Sequence, residues 1–308
     1  MKFGFYGHKI ARRTGTPVRL SLFLSTLLLL APASLTQERK IDPTWLHRYL
    51  PEVKTSQAAF ATDTCHYKPA FGEGDEESRT LQSVSRFGEI QIAKHGECQP
   101  VVYGREEEIY FVLEGTGVLH YGDESHAMRK SDFTYLPPGV THSIANESGE
   151  DLRVLVMGFK IPAKIALNPP SPHPRILNLA DVKEETVGGH PSSVLYKLLI
   201  GPQTAKRDAI DESYVITSFF LMDFAPGGTN FPHHHEIAEE IYLVLDGNGE
   251  IVAGSGMDGV EAQFPAKAGD AYYFRPNCTV GFYNQNQPGA KAYILAVRSR
   301  IPLPKDAD

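Results

Sequence analysis

"PHHHEIAEEIYLVLDG", Pro232 to Gly247, sets three histidines and three glutamates ahead of an apolar run of strand-forming residues. A second stretch, "PVVYGREEEIYFVLEG", Pro100 to Gly115, has the same layout without a gap but none of the histidines. Glu108 aligns with Glu240, Ile109-Tyr110 with Ile241-Tyr242, and Gly115 and Gly117 with Gly247 and Gly249. Downstream, "KSDFTYLPPGVTHSIAN" (Lys130 to Asn146) corresponds to "KAGDAYYFRPNCTVGFYN" (Lys267 to Asn284). Each copy then closes on an apolar run ending in Ile-Pro, at Pro162 and Pro302. A unit repeated at this length is two homologous domains in tandem and not a solenoid.

Within each unit the apolar segments are short, rich in Val, Ile, Phe and Tyr, and punctuated by Gly, Pro, Asn and Asp. "EIYFVLEGTGVLHYGD" reads as strand, tight turn, strand, and no long apolar period of 3.6 residues occurs in either unit. The expectation is an all-β chain of two small barrels or double-sheet rolls. Between them "NPPSPHP", Asn168 to Pro174, is an extended connector. Residues from Ile176 to about Ala209 are expected to supply edge strands of the second unit. "PTWLHRYLPEV", Pro43 to Val53, reads as a short helix between prolines that packs on the first barrel.

The first 33 residues carry Lys2, Lys9, Arg12, Arg13 and Arg19 with no Asp or Glu, then "LSLFLSTLLLL" and "APA". A positive stretch, a short apolar core and a small-x-small site are the layout of a secretory signal peptide, and the run is short for a membrane span. Export is therefore expected. Removing the leader takes the formal charge from −7 to −12. An acidic surface without a basic patch argues against nucleic acid, and against a membrane once the leader is cleaved. Of three cysteines, Cys65 and Cys98 can bridge in an exported protein, leaving Cys278 over; three separate thiols are the alternative.

The paired motifs resemble those of the cupin superfamily, and from about Gly88 to Pro302 the chain resembles a bicupin, two tandem cupin barrels of jelly-roll type. The second unit reads His233-x-His235-x4-Glu240-x6-Gly247; the first reads Pro137-x-Gly139-x2-His142-x3-Asn146. The departures divide between the units. Val101 and Tyr103 stand where the first unit should have histidines, and Ser131 replaces a glycine; in the second, Val280 replaces the later histidine and Arg275-Pro276-Asn277 replaces the Pro-x-Gly turn. The resemblance implies that each ligand set points into its own barrel, so the halves are not pooled. With the leader over 1–33, the expected division is an N-terminal arm over 34–79, a first barrel with a degenerate site over 80–165, a linker with edge strands over 166–209, and a second barrel over 210–304.

On an extended strand residues two apart share a face, so His233 and His235 can enter a barrel together while His234 points away. With Glu240 they make two imidazoles and a carboxylate, a facial set for one divalent metal, Fe(II) ahead of Mn, Ni, Co or Zn. A fourth ligand must come from elsewhere than Val280, or solvent fills that position. A solvated His-rich turn is the competing reading, weighed against by the motif spacing. Glu239 is expected to face the other way and be solvated. Tyr272, Phe274 and Tyr283 are candidates to line a substrate pocket, and Arg275 to pair with a substrate carboxylate at the mouth or to make a surface ion pair. The first unit is expected to be a degenerate barrel kept for packing against its partner; the alternative is that Glu108, Tyr103 and His142 form a polar cluster or bind a polar small molecule.

The function expected is an exported metal-dependent enzyme acting on a small organic substrate, with Fe-type dioxygenase chemistry in the second barrel. The alternative is a non-catalytic bicupin that binds or stores a sugar or organic acid. A lower alternative is a hydrolase or isomerase similar to ureidoglycine aminohydrolase, from which this chain departs by having Val280 where that enzyme has Gln. Bicupins often assemble further, so a homo-oligomer is compatible with the resemblance, though no sequence feature fixes it.

Overall fold

The computed structural model describes residues 42–254 and 261–301, so the leader lies outside the described residues. Strands account for nearly all the regular structure. The first barrel pairs a six-stranded sheet with a three-stranded one. The large sheet runs β10 (Ile176–Asn178), β7 (Asp132–Leu136), β4 (Glu106–Glu114), β9 (Leu152–Lys160), β3 (Val84–Ile92), β2 (Cys65–Gly72). The small one runs β6 (Glu124–Arg129), β5 (Thr116–Tyr121), β8 (His142–Ala145).

The second barrel repeats the plan. Its large sheet runs β1 (Trp45–Tyr49), β17 (Asp270–Phe274), β14 (Ala238–Asp246), β19 (Ala292–Arg300), β13 (Ile216–Phe224), β11 (Val194–Pro202), β12 (Ile210–Ser213). Facing it are β16 (Glu261–Lys267), β15 (Asn248–Gly254) and β18 (Thr279–Asn284). The turns keep the backbone that the motif glycines imply even where the glycine is gone. Ser131 (φ 68°) and Asn277 (φ 64°) are left-handed like Gly269 and Gly139 at the matching places, a conformation asparagine tolerates better than most residues.

Two expectations are corrected. Pro43–Val53 is not a helix but β1 followed by a single 3-10 turn, Leu50–Glu52; seven residues between prolines are too few to stabilise a helix, and the edge of β17 satisfies the backbone instead. Its backbone pairs with the second barrel, Trp45 opposite Phe274, while its side chains pack on the first as expected: Arg48 lies over Phe71, and Lys68 Nζ donates to Pro51 O at 2.8 Å. Conversely β10, in the linker, pairs with β7 of the first barrel, Ile176 opposite Thr134, whereas β11 and β12 join the second. Each barrel is closed by the segment that precedes its neighbour.

The uninterrupted apolar runs follow from burial on both faces. On β4, Tyr110 and Val112 point into the first barrel, while Ile109 and Phe111 join a layer shared between the barrels. On β14, Tyr242 and Val244 line the second barrel, and Ile241 and Leu243 meet the same shared layer. The first barrel contributes Ile109, Phe111, Phe133, Leu155, Met157 and Phe159 to it. Exposing those six would cost roughly 9–18 kcal/mol at about 1.5–3 kcal/mol each, as much as a whole domain's stability, so neither barrel stands alone.

Glu239 corrects a further expectation. It does face away from the site, but onto the other barrel rather than water, and is 1 % exposed. Its carboxylate accepts hydrogen bonds from the backbone of Gln82, Ser83 and Val84 and from Tyr273 Oη at 2.6 Å. Glu107 on β4 does the reciprocal thing, accepting from the backbone N–H groups of Tyr214, Val215 and Ile216 (2.7–2.9 Å) and from Tyr135 Oη (2.8 Å). The two carboxylates clasp the barrels together from both sides. Burial raises the Glu107 pKa, against the pull of its four donors.

Candidate metal centre

His233 pairs with Val280 through two backbone hydrogen bonds (2.9 and 2.8 Å), and the carbonyl of His235 accepts from Asn277 N at 2.8 Å. Held extended in this way, the segment turns His233 and His235 to one side and leaves His234 exposed. Glu240, third in β14, is 2 % exposed. One ligand atom from each of His233, His235 and Glu240 lies within 4.8 Å of the others. His233 Nδ1 donates to Phe231 O at 2.8 Å, which leaves Nε2 facing the site. Phe231 itself is left-handed (φ 54°), a strained conformation for a bulky residue, and that strain aims the carbonyl.

Arg298, on β19, lies beside the triad with Nη1 3.0 Å from His235 Nε2. A guanidinium only donates, so this nitrogen presents its lone pair. Glu240 Oε2 is 3.2 Å from the same nitrogen but lacks hydrogen-bond geometry, and it is buried without a partner. A buried carboxylate oxygen without a hydrogen-bond partner, 3.2 Å from an imidazole nitrogen, has the spacing that two ligands of one cation take. Burial acts to raise the Glu240 pKa, but His235, Arg298 and His233 outweigh it and hold the carboxyl below its ordinary range. Burial likewise depresses the His233 pKa, favouring the neutral, ligating form.

A cavity of about 50 Å³ opens beside His233 and Glu240, lined among others by His190, Tyr196, Arg207 and Arg298. It has room for about three or four water molecules. Arg207 is held by Asp208 and Ser218 Oγ. The sequence candidates for the pocket lie elsewhere. Arg275 donates to Pro43 O at 3.3 Å, so it latches the approach to β1. Tyr272 stacks on His47 (4.8 Å) and Phe274 packs on Tyr242 (5.5 Å), both inside the barrel core. Tyr283 is half-buried opposite Thr229. Arg298 was legible as a charge within the closing run "AYILAVRSR" at the place where the first copy has Gly158, whereas Arg300 matches Lys160. His190, Tyr196 and Arg207 lie before the repeated motif, and only the fold brings them to the site.

In the first barrel Glu108 and His142 do meet, Oε2 to Nε2 at 2.7 Å. The residue that sequence reasoning missed is Arg86, whose Nη1 donates to Glu108 Oε1 at 2.6 Å and whose Nη2 lies 2.9 Å from Glu106. Tyr103 covers it, with the guanidinium carbon 4.1 Å from the ring centroid. Burial and the Glu108 charge push the Tyr103 pKa up. Arg86 is 2 % exposed; it supplies the positive charge that the carboxylate needs, and the site is self-neutralised. Beneath it Cys65 and Cys98 form a disulfide, while Cys278 is a buried thiol.

The family model described as the cupin domain matches twice, over residues 89–158 and 220–296. The chain belongs to the cupin superfamily. It is a bicupin, with a candidate metal triad in its second barrel and an arginine in the corresponding space of its first. Among solved structures it is similar to the putative glyoxylate-induced protein of Pseudomonas aeruginosa (18 % identity, TM-score 0.65, 83 % of this chain and 89 % of that one). It is also similar to Bacillus subtilis oxalate decarboxylase, described with Mn(II) centres (13 % identity, TM-score 0.58, 83 % and 77 %). At such identities the likeness is one of fold. A curated relative, an uncharacterized protein of Methanocaldococcus jannaschii, is 36 % identical over 53 residues, 17 % of this chain and 42 % of that protein. A second, from Streptomyces coelicolor, is 38 % identical over 52 residues, 17 % and 49 %. The chain thus spans less than half the length of the curated relatives it matches.

Proposed function

We propose that the protein is a metal-dependent enzyme whose second barrel holds one divalent cation through His233, His235 and Glu240 and acts on a small organic anion. The observation that carries this reading is the convergence of the three ligand atoms within 4.8 Å of one another, with the buried Glu240 Oε2 lacking a hydrogen-bond partner 3.2 Å from His235 Nε2. Arg298 and Arg207, which line the cavity, favour a carboxylate ligand. The cavity's size favours a short one.

Iron is the first metal to test, because two imidazoles and a carboxylate on one side suit Fe(II) with open positions for substrate and dioxygen. Bound there, it supplies a redox-active Lewis acid. The chain's own residues do the rest: Phe231 O fixes the His233 imidazole, Arg298 orients the anion, and the apolar lining excludes bulk water. A redox-neutral reaction of a carboxylate on manganese is the second reading, favoured by the fold likeness to an oxalate decarboxylase that contains Mn(II). The non-catalytic storage reading is favoured by Val280, which removes a motif ligand.

Anaerobic preparation with supplied metal, metal analysis, and then oxygen uptake against a panel of short carboxylates and phenols separate these. One equivalent of metal with substrate-dependent oxygen uptake supports the leading reading. Metal with CO2 release and no oxygen consumption supports the second. Failure of folded protein to retain metal removes both.

Export is part of the proposal, supported by the buried Cys65–Cys98 bridge, of a kind that persists in oxidising compartments. The partners proposed are a small-molecule substrate and, from the resemblance to other bicupins, further copies of the chain.

A further inference from the structure

We propose that His190 is a fourth side-chain ligand of the cation at the second barrel's triad, supplied by the linker in place of the motif histidine that is here Val280. The inference rests on the metal-binding reading above.

The internal duplication singles out His190. Before β2, Ser56 bridges Tyr67; before β11, Glu185 bridges Tyr196. The loop that follows each of these first residues sets one ring against the tyrosine. In the first barrel that ring is Phe60, 5.2 Å from Tyr67 between centroids, and it is 1 % exposed and part of the apolar core. In the second it is His190, 5.3 Å from Tyr196. Where one barrel carries an apolar plug, the other carries an imidazole, and in the barrel that has the triad.

Its hydrogen bonding is that of a metal-bound imidazole, while its ring nitrogens lie outside the 4.8 Å cluster of the triad, so ligation needs the linker loop to close in. His190 Nδ1 lies 3.2 Å from the carbonyl of Asn230 and donates to it, since a carbonyl only accepts. Asn230 is itself fixed, donating to Tyr242 Oη at 3.0 Å and accepting from Phe282 N at 2.8 Å. His233 is arranged alike, with Nδ1 on Phe231 O. In both rings the backbone contact fixes the tautomer and leaves Nε2 as the basic nitrogen, the usual outer support of a metal-bound histidine. The rings are 5.5 Å apart and edge to face, against 5.0 Å for His233 and His235. His190 lines the same cavity as His233 and Glu240. It arrives on a turn through Gly188 and Gly189, where Gly189 is left-handed (φ +85°) and a Cβ added at either glycine would meet nothing within 4 Å, so the loop has space to adjust around an ion.

The test is Co(II) titration of the metal-free full chain, with pulsed electron paramagnetic resonance on the Cu(II)-loaded form to count coordinated imidazoles. Wild type, His190→Ala and His190→Phe are compared, the last carrying the residue the first barrel tolerates at this place, with His235→Ala as the reference for loss of a triad ligand. The expected result is three imidazoles in wild type, two in each His190 variant, and affinity lower by tenfold or more, with thermal midpoints of wild type and His190→Phe alike. An unchanged imidazole count and affinity in folded His190→Phe overturns the inference while the triad stands. Failure of folded wild type to bind Co(II) overturns the triad itself.

Discussion

Arg86 and Arg298 occupy opposite members of one cross-strand position: Arg86 on β3 faces Gly158 on β9, and Arg298 on β19 faces Ser218 on β13. The histidines are exchanged in the same way, His142 opposite Val101 in the first barrel and His233 opposite Val280 in the second. Gly158 leaves the space that Arg86 needs, since a Cβ there would lie 2.6 Å from Nη1. From that side the guanidinium reaches the buried glutamate and neutralises it. From the other strand Arg298 meets His235 instead, and Glu240 Oε2 is left without a hydrogen-bond partner. A one-strand displacement of one side chain separates a closed barrel from one arranged for a cation.

Arg86→Met should strand the buried Glu108 charge and destabilise the protein by about 3–5 kcal/mol. Adding Glu108→Gln should recover part of that loss, because the orphaned charge is then gone. Urea unfolding of both variants checks it; a single variant as stable as wild type would show that the carboxylate has another counterion.

Burial acts to raise the Glu108 pKa, but His142 and Arg86 outweigh it and hold it below the ordinary 4.5. A depressed carboxyl contributes stability that is fully present above the unfolded value and is lost as pH falls through the folded one. Urea midpoints should therefore hold from pH 7 to about 5 and fall below about 4.5. Glu108→Gln should flatten part of that acid slope, measured as the difference between the two curves.

Glu239→Ala removes the acceptor for three backbone N–H groups and Tyr273. Left unsatisfied between the barrels, these donors should cost at least about 3 kcal/mol. A loss near zero in thermal unfolding would mean that water enters the clasp freely.

Arg298→Met should weaken binding of a short carboxylate about 10–100-fold, the worth of one hydrogen bond between charged groups at about 1.5–3 kcal/mol. Metal affinity should be no weaker, because the arginine engages His235 Nε2 and not the cation. Calorimetric titration of the metal-loaded variant with oxalate or glyoxylate distinguishes the two effects.

Cys98→Ser opens a bridge between residues 33 apart in sequence and should lower stability by about 3–4 kcal/mol through the entropy of the unfolded chain. Reduction of the wild type under denaturing conditions should give the same shift in unfolding midpoint.

The repeat, the strand-and-turn rhythm and the His-x-His-x4-Glu spacing were all present in the sequence, since local geometry fixes them: residues two apart share a face and glycine or asparagine marks most of the tight turns. That was enough for the two-barrel fold and for the triad His233, His235 and Glu240. The destinations of β1 and β10 were not legible, because an edge strand of three to five residues takes its partner from whichever sheet edge the tertiary fold presents to it. Nor was the role of Glu239, whose environment depends on a second barrel covering a face that pattern alone assigns to water. Arg86, Arg207 and His190 belong to the same class. Each lies outside the motif, and only the closing of the barrels brings its charge or lone pair within reach of the site.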